Sequence, residues 1–227
     1  MFVFPALISL GLWQLDRADE KRLIEDNVNA AAVKSPLDLN EEYKGDLKSE
    51  VYRQVIVEGR FDDSRQYLWD NKTHDGRPGF HVLTPLLIRD MNVAVMVNRG
   101  WVPMLGRRDV LPEVTVARGV KSIQGVIKDP SNAIQLAESV RTNVVRFPSI
   151  IQSFDTDVFS SELNVPVLPI MIELAKNNEN GYVRNWKPYF GNIERHNGYA
   201  LQWFLMALIV LFLYVKLNTK RSAAKQP

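Results

Sequence analysis

The sequence contains no cysteine, which excludes disulfide staples, thiol nucleophiles, CxxC redox or covalent haem attachment motifs, and thiolate metal sites. It also lacks a charge surplus. The 28 Lys plus Arg stand against 26 Asp plus Glu, and a net +2 over 227 residues makes no basic field for gripping phosphates, so nucleic acid is not an expected partner. No GxSxG, HExxH, P-loop or dinucleotide fingerprint occurs, and the remaining Ser, Thr and Lys nucleophiles have no evident partners; enzyme activity is not expected. Histidine is scarce, at three residues. His74 and His81 flank a DGRPG turn near Asp70 and Asp75, a spacing that matches no strong metal site. Met91, Met96 and Met104 lack a tight MxxM pattern and read as packing rather than a Cu(I) site.

What the sequence does have is apolar residues gathered at its two ends. Residues 199–215 carry no charge, and residues 198–217 make a twenty-residue segment if Lys216 snorkels; a bilayer core of ~30 Å needs roughly 20 residues. Tyr199, Trp203 and Phe204 cluster at one end and Tyr214 stands at the other, as interfacial belts require. The tail holds Lys216, Lys220, Arg221 and Lys225 without an acid, which places the C-terminus inside. Residues 1–15 are uncharged but would reach only about 22 Å as a helix. They lack the basic leader of a signal peptide and continue into the polar run DRADEKRLIEDN, so a short first transmembrane helix is expected, its mismatch met by bilayer thinning. With no Arg-rich transit peptide, a bacterial inner membrane is favoured.

The expected fold is therefore a membrane α+β protein. Two transmembrane helices, residues 1–15 and 198–217, flank a β-rich antiparallel extracytoplasmic domain with accessory helices at residues 16–197, and residues 218–227 form a cytoplasmic basic tail. The first helix continues outward as a polar helix until Ser35-Pro36 breaks it. Strands are expected from Val51, Gln66, Phe80, Asn92, Gly119 and Val167, and Asp155 opens a short helix in DTDVFSSEL. Barrel and sandwich are equally compatible with this pattern.

His196 sits where the second span meets the outer interface. At 3.6 residues per turn it shares a face with Tyr199, Ala200 and Trp203; an imidazole there could ligate haem iron, with Ala200 admitting the ring and Arg195 meeting a propionate, or it could simply touch headgroups. Gln14 and Gln202 fall at similar depth, and buried amides in a bilayer need partners, so the two are expected to meet, with Gly11 permitting close helix approach.

Five motifs in order, LGLWQLDRADEK, YRQVIVEGRF, DGRPGFHVLTPLLI, VNRGWVP and RHNGYALQWF, resemble the surfeit locus protein 1 family of cytochrome c oxidase assembly factors, in a bacterial form. The resemblance implies a membrane-bound chaperone that assists haem a delivery or insertion into subunit I of a haem-copper oxidase, with subunit I or its assembly intermediates, haem a synthesis enzymes and the lipid bilayer as partners. It also implies that His196 is the haem iron ligand, with Arg195, Tyr199 and Trp203 around the same transiently held haem a. Arg99 and Trp101 of NRGWVP would contact a partner or propionates, or else shape a turn at Gly100. The alternative is a membrane scaffold that stabilises an oxidase subunit without binding haem.

Overall fold

The computed structural model describes residues 3–42, 45–106, 110–130, 147–186 and 192–223. The last four residues of the expected basic tail lie outside the described residues. The chain divides into two compact units, one formed by Met1–Asn29 with Pro188–Pro227, the other by Ala30–Lys187.

The first unit is built from helices. Helix α1, Val3–Ala32, runs unbroken from the apolar N-terminal stretch through the charged run, as expected, and the chain turns at Val33 and Lys34, ahead of Ser35-Pro36. Ion pairs one turn apart, Arg17 with Glu20 and Arg22 with Asp19, line its exposed polar half. The C-terminal helix of the same unit, Ile193–Ala223, is described below as α4. Its residues Ile193–Thr219 are long and apolar enough to cross a membrane, and among the described residues no other helix is.

The second unit is a sheet of eight strands: β1 (Leu37–Asp38), β2 (Gln54–Phe61), β3 (Tyr67–His74), β4 (Arg77–Ile88), β5 (Ala94–Pro103), β6 (Val120–Lys128), β7 (Ser149–Ile151) and β8 (Val167–Leu174). Their order is β1-β2-β6-β8-β5-β4-β3-β7, and a further pairing of β2 with β4 closes β2, β6, β8, β5 and β4 into a ring. That closure settles the choice left open by the pattern in favour of a barrel. Val55 and Val57, Val95 and Val97, Ile123 and Ile127, and Leu168, Ile170, Ile172 and Leu174 alternate inward and fill it; burying each such side chain contributes about 1.5–3 kcal/mol.

The sheet is not uniformly antiparallel. β5 pairs with β8 in parallel, as do β1 with β2 and β3 with β7. The parallel β5–β8 pair needs a long crossover, and the segment between β6 and β8 supplies α3, Thr156–Leu163, whose Phe159 and Leu163 cover the outer face of the sheet beside Tyr67 and Met171. Asp155 caps α3 by accepting from the amides of Asp157 and Val158, as its sequence signature predicts. The two-residue β1, the three-residue β7 and the one-turn helix α2 (Leu39–Glu42) were not among the expected elements.

Candidate functional site

Helix α4 starts where its capping residue dictates. The Asn192 side-chain oxygen accepts from the Arg195 amide at 3.0 Å, and its carbonyl accepts from the amides of Arg195 and His196, so the first turn is locked and His196 stands within it. Glu194 adds an acid where the helix dipole favours one. His196 is therefore a helix residue, and α4 begins at Ile193, five positions upstream of the expected span of residues 198–217.

Helices α1 and α4 pack antiparallel within their unit. Gly11 lies against the ring of Phe204, where an added Cβ would come within 2.5 Å of Cε1, and Gln14 further along α1 meets His196 nearer the start of α4. The seam is made of small residues seven apart, Gly11 and Ala18 on α1, Ala200 and Ala207 on α4, all buried. Outside the seam α4 shows Leu201, Leu205, Leu208 and Phe212 to its surroundings.

The contact at the head of this seam is a hydrogen bond of 2.7 Å between His196 Nδ1 and Gln14 Oε1. A carbonyl oxygen only accepts, so Nδ1 carries the proton and donates; in the neutral form of such an imidazole the lone pair is on Nε2, directed away from Gln14. Nε2 has no hydrogen-bond partner among the described residues. Gln14 does not pair with Gln202, which is exposed on α4. The expected partner was one turn and a half too far along the helix, because the antiparallel register is set by Gly11 and Phe204. Ala200 is 2% exposed, one turn along the helix from His196. Tyr199 is 45% exposed, Trp203 half-buried and Arg195 exposed, so these three flank His196 on the side away from the seam.

The other histidines are committed differently. Asn98 Oδ1 accepts from the Gly100 amide, so its Nδ2 donates to His81 Nδ1 at 3.1 Å; His81 is thereby held with its proton on Nε2 and keeps no free lone pair. Burial, and then the charge on Lys72, push its pKa down to about 4. His74 reaches Asp75 through Nε2 at 3.3 Å on the β3–β4 turn. Among the described residues no group of three His, Asp or Glu is placed to hold a metal ion. A cleft of about 540 Å³ beside Arg60, Asp62, Asp63, Arg65 and Arg118 is occupied with its own ion pairs, Arg65 with Asp62 and Arg118 with Asp63.

The NRGWVP motif is turned inward. Between His81 and Leu83 on β4 the pairing advances from Trp101 to Asn98 on β5, an extra residue that makes a bulge at Arg99 and Gly100. Gly100 has φ +118°, and a Cβ there would lie 2.8 Å from the Val183 carbonyl. Arg99, 2% exposed, donates to Gln66 Oε1, Thr84 Oγ1, and the carbonyls of Asn180 and Thr115, and packs over Phe61 and Tyr182. Trp101 exchanges backbone hydrogen bonds with Val183. The motif thus ties down the segment that follows β8, with Trp186 donating to the Leu174 carbonyl and its ring against His81. Neither Arg99 nor Trp101 has surface to offer a partner or a propionate. The turn at Gly100 with Trp101 against the core is the other reading of this motif, and the structure shows it; the inward bonding of Arg99 depends on a bulge that only strand register reveals.

Comparison with known proteins gives a consistent result. The SURF1 family model matches residues 1–208. A "SURF1-like protein" of Dictyostelium discoideum is 22% identical over 96% of this chain and 95% of its own length. One from Rickettsia conorii is 26% identical over 93% of this chain and 86% of its own. "Surfeit locus protein 1" of Mus musculus reaches 36% identity over 50% of this chain and 40% of the mouse protein.

Proposed function

Because the chain belongs to the SURF1 family, we propose that it is a membrane-bound assembly factor for a haem-copper cytochrome c oxidase, and that it shelters haem a before insertion into subunit I. The role is that of a chaperone, not an enzyme. The observation that carries the haem part is the imidazole of His196: it is the one histidine among the described residues whose hydrogen bonding leaves Nε2 as an available lone pair, and it stands in the first turn of the apolar helix. A neutral imidazole nitrogen is a haem iron ligand, and bound haem would supply the oxidase with its redox group. Tyr199 and Trp203 offer ring faces beside it, and Arg195 offers a guanidinium for a propionate.

The membrane reading rests on α4 crossing once and α1 crossing a second time through residues 3–15, which contain no charge. Those thirteen residues rise about 20 Å, so the bilayer thins around them or flanking residues bridge the difference. Lys216, Lys220 and Arg221 support a reading in which the far end of α4 is on the cytoplasmic side of a bacterial inner membrane and the β-domain faces the periplasm. Subunit I, its assembly intermediates and the haem a synthesis enzymes are the partners.

The test is to purify the full chain from cells that make haem a and compare visible spectra of the native protein and His196→Ala. Loss of bound haem with the protein level maintained is expected. An unchanged haem complement would overturn ligation by His196 and leave a scaffold that steadies an oxidase subunit without haem.

A further inference from the structure

We infer that Gln14 is a positioning residue for haem, acting through His196: its amide oxygen fixes the Nδ1–H tautomer and turns Nε2 outward as the axial donor. This rests on the haem reading above and adds to it a residue 182 positions away in sequence, on the other helix of the unit. The argument is one of proton placement. A free imidazole divides its proton between two nitrogens, and a ligand to iron must present an unprotonated one. An acceptor held against Nδ1 removes that division, fixes the ring plane, and raises the donor strength of Nε2; metal-bound histidines carry such an outer partner almost without exception.

Gln14 is suited to the task by its packing and its charge. It is half-buried in the helix pair, one turn beyond the Gly11–Phe204 contact that sets the register, so its amide is delivered to the imidazole by packing and not by chance rotation. The partner on the other side is equally fixed, since Asn192 locks the turn that holds His196. Being neutral, the amide accepts from Nδ1–H without the full negative charge of a carboxylate. An acceptor of that strength gives a ligand that can let go, as a handover site requires, where a carboxylate would push the imidazole toward imidazolate and hold iron harder.

Three variants of the full chain decide the matter, each loaded with haem a in cells and read per mole of purified protein, so that a difference in yield does not enter. His196→Ala tests the parent reading. Gln14→Leu removes the acceptor, and about ten-fold or greater weakening of haem retention is expected. Gln14→Glu keeps an acceptor and cannot donate; it should retain haem, raise the iron–histidine stretching frequency in resonance Raman spectra, and lower the haem reduction potential relative to native protein. If His196→Ala loses haem while Gln14→Leu and Gln14→Glu match native protein in retention, Raman frequency and potential, the inference about Gln14 fails and the parent reading stands. If Gln14→Glu loses haem as Gln14→Leu does, the acceptor role fails. If His196→Ala keeps its haem, both fail together.

Discussion

Asn98 and His81 face each other across the β4–β5 ladder, the amide nitrogen of one donating to Nδ1 of the other at 3.1 Å. The Gly100 amide holds Asn98 in that orientation, so His81 is locked as a neutral acceptor. Protonation of His81 would set two donors against each other inside the domain.

A pH dependence of stability follows. His81 has its pKa pushed from 6.5 to about 4 by burial, with Lys72 adding to the effect. The unfolded chain binds a proton in that window and the folded chain does not. Its contribution is therefore complete above about pH 6.5 and is lost as pH falls toward 4, with a limiting slope of about 1.4 kcal/mol per pH unit. Glu173 works in the opposite sense, since burial raises its pKa against the pull of Lys128, and the stability it adds is lost as pH rises from 4.5. Denaturant unfolding of the full chain in detergent at several pH values, for native protein and His81→Gln, isolates the histidine: the variant should be the less sensitive to acid between pH 6.5 and 4. Parallel curves would show that His81 does not titrate as described.

Arg99 is a fixed internal strap. Four neutral oxygens accept from its guanidinium, two of them backbone carbonyls, of Thr115 between β5 and β6 and of Asn180 after β8. Arg99→Leu leaves those acceptors without a donor and should cost about 3 kcal/mol or more in unfolding free energy. Arg99→Lys should recover little, because one ammonium cannot span four divergent acceptors. Both variants should nonetheless keep the haem spectrum of whatever protein folds. A normal melting temperature in Arg99→Leu would contradict this role.

Gly100 supplies the backbone for the same strap. Its φ of +118° and the 2.8 Å approach to the Val183 carbonyl leave no room for a methyl group. Gly100→Ala is expected to lower stability by about 1–3 kcal/mol through backbone strain, and to raise proteolysis in the segment after β8 more than elsewhere. Mass spectrometry of limited digests reads the difference; uniform cleavage along the domain would argue against a local strap.

The seam between α1 and α4 predicts a rescue. In Gly11→Val the new side chain collides with the Phe204 ring, and the pair must separate or shift, which should also carry Gln14 away from His196. Haem retention should fall. Phe204→Ala in the same chain opens the space and should return part of it, although Phe204→Ala alone is expected to weaken the pair. A double variant no better than Gly11→Val would show that this contact does not set the register.

Much of the architecture was legible because period and punctuation are local properties. Alternation in QVIVEGRF and the continuous apolar run VAVMV at the head of β5 declare two barrel strands, Asp155 announces α3, and the uncharged run after Tyr199 declares the apolar helix. What stayed hidden depends on register. Gln14 was recognisable as an amide in want of a partner, yet Gln202 was the partner that equal depth suggested, since the Gly11–Phe204 contact that shifts the helices is not written in either segment alone. For NRGWVP the turn at Gly100 was one of two readings, but the bonding of Arg99 stayed hidden for the same reason: the bulge that turns it inward exists only once β4 and β5 are aligned. The parallel β5–β8 pair likewise needed a crossover that strand patterns do not record.

The Gln14–His196 hydrogen bond makes one end of the polypeptide the custodian of the other's chemistry. A chain begun at a downstream start codon beyond residue 14 would keep every β-strand and the imidazole itself, yet leave that imidazole free to choose the wrong tautomer. Such a product would also lose the uncharged residues 3–15 of α1, and with them the first of the two proposed crossings.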